Sequence, residues 1–112
     1  MNSITTHVLD TALGRPAAGI PVQLFRLSDG SLPELLGEEA TNSDGRARSL
    51  LQSALTAGEY RITFAVQAYF AASNRACFYT TVQIDFRVTN PSEHHHVPLL
   101  ISPFGYSTYR GS

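Results

Sequence analysis

An alternation of apolar and polar residues with a period of two constrains this sequence more than any other feature. In the segment 82–88, apolar residues from Val82 to Val88 alternate with polar neighbours. Successive side chains of a strand point to opposite faces, so this segment predicts a strand with one buried and one exposed face. Strand-like runs recur in three further segments: 60–66, 4–11 and 21–27. The chain is therefore predicted to be built from strands.

Residues suited to tight turns separate these runs. Clusters that contain Gly stand at 14–16, 28–30, 42–45 and 57–58. Residues 67–74 are the one predicted helical segment, because Ala favours helices and Asn74 can end one. The pattern predicts an all-β sandwich of about eight strands with one short helix, in a single domain spanning 1–112.

Composition excludes several classes of function. The formal net charge is −1 and no cluster of basic residues is visible, so the sequence predicts no nucleic-acid partner. All eight basic residues are Arg, which excludes lysine chemistry such as Schiff-base catalysis. Cys77 stands alone, so no intrachain disulfide can form, and we expect a buried free thiol.

No segment has the composition of a membrane anchor. A transmembrane helix needs about 20 apolar residues in succession, and no window of the sequence approaches this. The first residues run directly into a strand-like segment, without the basic cluster and apolar stretch of a signal peptide. We expect a soluble, cytoplasmic protein with no membrane partner.

Three consecutive histidines, His94, His95 and His96, are the most conspicuous candidates for chemistry. In a strand, His94 and His96 share one face and His95 points to the other. Two imidazoles fall short of the four ligands of a structural zinc site, and no other donors have supporting spacing, so no metal site is predicted. An expression tag is a poor explanation, because a buried-strand sequence, 97–101, follows at once. The histidines are therefore solvated strand residues or, for His94 or His96, an acid or base.

Other polar residues leave similar alternatives open. His7 lies within the first strand-like run, where a lone histidine is more often packed or exposed than catalytic. Arg46 follows a turn and is either a solvated hairpin residue or a guanidinium that grips a planar, carbonyl-rich ligand; Arg110 presents the same choice. The segment 106–112 is rich in aromatic and hydroxyl groups, which favours an ordered, functional end. The sequence contains no motif for covalent serine or cysteine catalysis.

Six blocks of the sequence match a known family: 6–11, 14–17, 41–46, 94–100, 102–108 and 109–112. The last block, Tyr-Arg-Gly-Ser, is that family's signature. On these residues the chain resembles the 5-hydroxyisourate hydrolases, which are transthyretin-like proteins, along essentially its whole length. One departure is His95, where the family more often has an aromatic residue. The stretch 28–39 is variable in the family and is assigned no function.

Transthyretin itself, a carrier of thyroid hormone, is the alternative on the same fold. Transthyretins resemble the chain around 8–10, but they carry Lys where His7 stands. They also have an acidic residue in place of Arg46 and Thr in place of His96, and they lack the ending 109–112. These differences favour the hydrolase over a small-ligand carrier without turnover.

The resemblance implies a fold, an assembly and a reaction. It implies a sandwich of two four-stranded sheets and a homotetramer with its active sites in clefts of the central channel. The implied reaction is hydrolysis of 5-hydroxyisourate to 2-oxo-4-hydroxy-4-carboxy-5-ureidoimidazoline, a step of urate degradation toward allantoin, without a cofactor or metal. Such a reaction needs a base to activate water, and cations or donors to hold the developing negative charge.

The resemblance also assigns site residues position by position. It implies catalytic roles for His7, Arg46, His96 and Ser112. It implies substrate contacts for His7, Arg46, Tyr109 and Arg110. We expect His7 or His96 to activate water while the other orients substrate or water, and the sequence does not say which. Arg46 would grip the ring, and Ser112 would hydrogen-bond a histidine or the substrate through its hydroxyl or terminal carboxylate.

Overall fold

Ten strands and one helix form the structure of residues 3–112, which a computed structural model describes. The first two residues of the predicted domain lie outside this range. The strands are β1 (Ile4–Asp10), β2 (Arg15–Pro16), β3 (Pro21–Leu27), β4 (Glu34–Ala40), β5 (Arg46–Ala47), β6 (Gly58–Ala65), β7 (Thr81–Val88), β8 (His95–His96), β9 (Leu99–Ser102) and β10 (Gly105–Thr108). The helix α1 (Gln67–Ala71) lies between β6 and β7.

Four long strands form one sheet, in the order β4-β3-β6-β7. Neighbouring strands are antiparallel, and β6 pairs with β7 along its whole length. On β7, Val82 and Val88 are buried while the polar residues between them are exposed. The strands predicted at 21–27, 60–66 and 82–88 are confirmed, each within two residues at its ends.

The strand β1 is the hub of the other sheet, because it pairs with four strands. It runs antiparallel to β2 and β5 and parallel to β8 and β9, and β10 extends the sheet beyond β9. The parallel pairing places Thr5 beside His96. The antiparallel pairing with β5 places His7 beside Arg46. This strand therefore gathers residues from both halves of the chain.

The predicted class, an all-β sandwich of two sheets with one short helix, is confirmed. The sheet around β1 has a path of four strands, β10-β9-β1-β2, and the two-residue strands β5 and β8 add to it. The sequence pattern did not indicate β4, because its residues, Glu-Leu-Leu-Gly-Glu-Glu-Ala, do not alternate. β4 lies at a sheet edge with much of its surface exposed, so burial imposes no such alternation. The carbonyl of Leu50 occupies the place that a Cβ would take at Gly37, which requires glycine there.

Aliphatic and aromatic side chains from both sheets fill the space between them. The largest fully buried residues are Tyr60, Phe64, Phe70, Ile4, Ile20, Leu24, Leu50, Ile62, Leu99 and Ile101. Burial of this apolar surface is the main favourable contribution to folding. Cys77 is a free thiol, as expected, but it packs at the rim of this core and is partly exposed, so the expectation that it is buried is corrected.

The helix α1 ends as the sequence predicts. Asn74 has a positive φ of 57°, and the Arg75 amide donates to the Phe70 carbonyl at 3.0 Å, which closes the last turn. Regular helix covers 67–71 and turns follow to Asn74. Among residues 3–112, no helix has the length and apolar character needed to cross a membrane.

A buried carboxylate fixes the segment after α1 to the end of β1. Asp10 is fully buried, and it accepts hydrogen bonds from Tyr69 Oη at 2.8 Å and Arg75 Nη2 at 2.7 Å. The amides of Ala12 and Leu13 each donate to its other oxygen at 3.1 Å. Burial alone would raise the pKa of Asp10, but the hydrogen bonds from Arg75 and Tyr69 outweigh burial and lower it. We call these three side chains the Asp10 cluster.

Candidate active site

A tight turn places Arg46 against His7. The side-chain oxygen of Asn42 accepts from the amides of Asp44 at 2.9 Å and Arg46 at 3.0 Å. Gly45 has a positive φ of 75°, and a Cβ there would lie 2.5 Å from the Val8 carbonyl oxygen. The turn is thus held tightly against β1, and the sequence Asn-Ser-Asp-Gly fixes where Arg46 begins β5.

The three histidines alternate between faces as the sequence predicts. His95 is buried, whereas the rings of His94 and His96 lie on the same side with centroids 6.2 Å apart. The hydroxyl of Thr5 lies between these two rings, 2.8 Å from Nε2 of His94 and 2.8 Å from Nδ1 of His96. His96 is therefore held by a buried side chain of β1, while His94 is exposed to solvent.

These residues line an open cleft of about 630 Å³. The lining residues are Thr5, Thr6, Arg46, Arg48, His94, His96 and Ser112. His7 stands beside Arg46 on β1, close enough to influence the charge state of His96. The lining contains two guanidinium groups and no carboxylate side chain. The cleft is thus suited to an anionic or carbonyl-rich ligand.

The environment of the cleft favours the neutral forms of His7 and His96. Burial lowers the pKa of His7, and the adjacent Arg46 guanidinium lowers it further. Burial also lowers the pKa of His96, followed by the positive charge of Arg46 and the neighbouring His94. A neutral imidazole can accept a proton, so both histidines have the charge state that a general base requires.

The C-terminal segment is ordered and folds over His96. Its last strand, β10, pairs with β9, and the Gly111 amide donates to the His96 carbonyl at 2.8 Å. A Cβ at Gly111 would lie 2.6 Å from Cδ2 of His96. Glycine is therefore needed for the chain to pass against the imidazole ring and to bring Ser112 to the cleft.

Tyr109 and Arg110 lie beside a different, smaller cavity. This cavity of about 190 Å³ is shared with His95 and with one side of His96. Arg110 Nη2 is 3.1 Å from a carboxylate oxygen of Glu93. Within one chain, the structure therefore brings together His7, Arg46, His96 and Ser112, but it places Tyr109 and Arg110 outside the main cleft.

Three residues of the cleft lining, Thr5, Thr6 and Arg48, were not singled out from the sequence. Thr5 contacts both histidines, but a threonine in a strand carries no mark of such a role in the sequence. Arg48 also lines the cleft, two residues after Arg46. The period-two spacing of these arginines, which puts alternate strand residues on one face, could have indicated it.

The described chain offers no cluster suited to a resident metal. Across residues 3–112, no three His, Cys, Asp or Glu side chains are grouped so as to hold a metal ion. His94 and His96 instead share a hydroxyl partner, Thr5.

Fold and cleft together define a class: transthyretin-like β-sandwich proteins with acid–base groups in a surface cleft. The crystal structure of transthyretin from Sparus aurata matches the fold with a TM-score of 0.90 at 23% identity, covering 99% of this chain and 97% of that one. A sequence model described as the HIUase/Transthyretin family matches residues 4–111, and the chain belongs to that family.

Two similar proteins on the hydrolase side of the family extend over the whole chain. A 5-hydroxyisourate hydrolase of Caulobacter vibrioides is 48% identical over 116 residues, with all of both chains covered. The structure of the Klebsiella pneumoniae 5-hydroxyisourate hydrolase matches with a TM-score of 0.86 and 41% identity, again with all of both chains covered.

Proposed function

We propose that this protein is an enzyme that hydrolyses 5-hydroxyisourate to 2-oxo-4-hydroxy-4-carboxy-5-ureidoimidazoline in urate degradation. The observation that carries the proposal is the cleft in which His7, Arg46 and His96 meet. Full-length similarity to proteins named 5-hydroxyisourate hydrolase, at 48% and 41% identity, supports the same substrate.

The cleft supplies what opening of a cyclic amide requires. A water molecule attacks a ring carbonyl, and a neutral histidine, His7 or His96, takes its proton. Arg46 lies beside both histidines, where its guanidinium stabilises the negative charge that develops on the carbonyl oxygen. The other histidine orients the substrate or water. The step is assigned to these side chains alone, with no cofactor or metal.

The C-terminal segment completes the proposed site. Ser112 lines the cleft, where its polar groups can hydrogen-bond His96 or the substrate. Tyr109 is 60% exposed, and Arg110 lies on the surface in an exposed ion pair with Glu93, so both can reach substrate at the neighbouring edge of His96. We assign them to substrate binding.

We further infer that the enzyme is a homotetramer. The strands β4, β7 and β10 lie at sheet edges, and the chain has no lysine to protect an edge from pairing. Two large apolar side chains, Phe78 and Phe104, are 74% and 73% exposed. Family membership favours a tetramer over other closed assemblies. Light scattering tests this inference, and a species of only 12.2 kDa at micromolar concentration would contradict it.

A turnover assay tests the proposed activity against a carrier function. Freshly generated 5-hydroxyisourate decays spontaneously and its ultraviolet absorbance reports that decay, so the enzyme should accelerate it in proportion to protein concentration. A transthyretin-type carrier would bind apolar ligands and leave the decay rate unchanged. Elemental analysis of the active protein checks that no metal is needed. A cytoplasmic location stays a prediction, which fractionation of the source cells tests.

A further inference from the structure

The Thr5 hydroxyl joins two histidines of the cleft by hydrogen bonds. It is buried and lies 2.8 Å from one nitrogen of each of two histidines. Among residues 3–112, no other group bonds to this oxygen. A hydroxyl has one proton to donate, so it donates to one imidazole and accepts from the N–H of the other. The tautomers of His94 and His96 are therefore linked through Thr5.

The connection has a direction, because both rings line the cleft but His94 is exposed whereas His96 is partly buried. Thr5 engages Nδ1 of His96, which leaves Nε2 of His96 for the cleft. It engages Nε2 of His94, which leaves Nδ1 of that ring for solvent, since His94 is exposed. Four nitrogen atoms and one hydroxyl thus form a continuous path from the partly buried His96 to the solvent-exposed His94.

We propose that Thr5 relays the proton that His96 takes from the attacking water to His94 at the protein surface. The inference rests on the proposed hydrolysis. In the resting state His96 carries its proton on Nδ1 and donates it to Thr5, and Thr5 donates to Nε2 of His94. This arrangement leaves Nε2 of His96 unprotonated, which is the form that a general base requires.

The proton transfers balance along this path. The water O–H bond breaks as Nε2 of His96 gains a proton and the hydroxide oxygen bonds to the carbonyl carbon. Nδ1 of His96 then passes its proton to Thr5 Oγ, Thr5 passes its own proton to Nε2 of His94, and Nδ1 of His94 releases one to solvent. The path resets in reverse when Nε2 of His96 protonates the departing ring nitrogen.

The charges around the cleft favour movement of the proton outward. The groups around His96 are His7 from β1, Arg46 from β5, Arg48 just beyond it, His94, and Ser112 with its terminal carboxylate. The two guanidinium groups outnumber this one carboxylate, so the lining as a whole disfavours an imidazolium at His96. Transfer to the exposed His94 places the charge in water, where its solvation costs least.

Three substitutions separate a relay from simple positioning. Thr5→Val removes the hydroxyl at nearly constant shape, whereas Thr5→Ser retains it. His94→Gln keeps a hydrogen-bonding group near the place of Nε2 but cannot pass a proton. Thr11→Val is the matched control, because its hydroxyl bonds the Ile101 carbonyl at 3.2 Å, beyond the other end of β1.

We expect Thr5→Val and His94→Gln each to lower kcat about tenfold or more, within the range of lost acid–base steps, with little change in KM. Thr11→Val should keep kcat within about twofold, Thr5→Ser should recover most of the activity that Thr5→Val loses, and added imidazole should restore part of the loss in His94→Gln. Circular dichroism melts identify any unfolded variant, and Thr5→Ser serves as the folded reference. Wild-type kcat in folded His94→Gln overturns the relay, and so does wild-type kcat in folded Thr5→Val.

Nitrogen-15 NMR of the histidines gives a readout that does not depend on turnover. The resting wild type should show neutral His96 protonated on Nδ1, and Thr5→Val should shift that proton to Nε2. A resting His96 protonated on Nε2 overturns the relay even if the enzyme is active. If the wild type does not accelerate 5-hydroxyisourate decay, the proposed hydrolysis fails, and the tautomer measurement still decides whether Thr5 sets the state of His96.

Discussion

The two ends of β1 carry charged groups in opposite situations. At its C-terminal end, the buried Asp10 carboxylate is matched by the Arg75 guanidinium and the Tyr69 hydroxyl. Toward its N-terminal end, His7 lies beside Arg46, and no carboxylate side chain lines the cleft there. The charged groups at the C-terminal end of β1 are paired with one another, whereas the guanidinium groups of the cleft have no acidic side chain beside them.

This difference separates a structural cluster from a site for chemistry. Buried charges are stable when they are paired and hydrogen-bonded, as in the Asp10 cluster. The cluster therefore offers a ligand no unpaired charge. An excess of positive charge in a cleft slightly raises the free energy of the unliganded protein and favours binding of an anionic ligand. We therefore expect substitutions at the cleft to impair catalysis and substitutions in the Asp10 cluster to impair stability.

The largest expected effect is at the cleft. Replacing His96 with Asn removes the imidazole that faces the cleft, and kcat should fall by about 100-fold or more while the fold is retained. Steady-state rates of 5-hydroxyisourate hydrolysis measure this, with circular dichroism as the folding control. A folded His96→Asn protein with unchanged kcat would remove His96 from the mechanism and would show that the cleft end of β1 is not the site of catalysis.

Deletion of residues 109–112 should be nearly as damaging. These residues include Gly111, which packs on the His96 ring, and Ser112, which lines the cleft. We expect kcat/KM to fall by roughly 10- to 100-fold, because misplacement of site groups by about 1 Å can cost that much. The assembly should survive, since the core strands are untouched. Full activity in the folded deletion would mean that the segment has no part in the site.

At the other end of β1, Asp10→Asn should lower the free energy of unfolding by about 2 kcal/mol, because a charged hydrogen-bonded pair is lost in a buried place. The kcat of the remaining folded protein should stay within about twofold of wild type. Urea titration and rate measurements on the same samples test both expectations. Asp85→Asn is the control, because its ion pair with Arg61 at 2.8 Å is solvent-exposed and should contribute little. A large loss of kcat in folded Asp10→Asn would contradict the division of roles.

The smallest effect concerns pH. The pKa values of His7 and His96 are lowered from 6.5, so kcat/KM should be level above pH 6.5 and decline only at lower pH, as the folded histidines gain protons. Their contribution to stability has the same sign, since it is complete above pH 6.5 and declines as pH falls toward the folded pKa values. The contribution of Asp10 is complete above pH 3.8 and is lost only below it, as pH falls through the lowered pKa.

NMR titration sharpens the pH prediction. Because the Arg46 charge lowers both histidine pKa values after burial does, Arg46→Gln should raise them. Unchanged histidine pKa values in that variant would show that Arg46 does not act electrostatically on the cleft.

The parts of the fold that follow local rules could be predicted from the sequence. Alternation indicated the long strands because each has one face in the core and one in water, as in β7. The helix end at Asn74 was predicted because few residues tolerate its positive φ. By contrast, β4 lies at an edge where burial imposes no pattern, and the two-residue strands β5 and β8 are too short to have one.

The site depended on long-range pairing that no local pattern contains. His96 could be proposed from resemblance, but its hydrogen-bond partner Thr5 could not, because the contact joins residues 91 positions apart. The positions of Tyr109 and Arg110 could not be predicted for the same reason. Their residue types favour substrate contacts, but the fold places them beside the smaller cavity. Residue types indicated the chemistry, and the pairing of β1 decided which of them meet.

The parallel pairing of β1 with β8 and β9 also has a consequence for how the protein is made. The pairing of β1 cannot be completed until partners far along the chain have been synthesised, because the Thr6 hydroxyl donates to the Val97 carbonyl, 91 positions later. Closing so long a loop is entropically costly, and folds dominated by distant contacts form slowly. The other sheet, whose strands all lie between residues 21 and 88, can form earlier during translation. Activity should therefore appear only after residues 95–112 have left the ribosome, and a chain terminated before them would be a half-formed sandwich with an exposed apolar face.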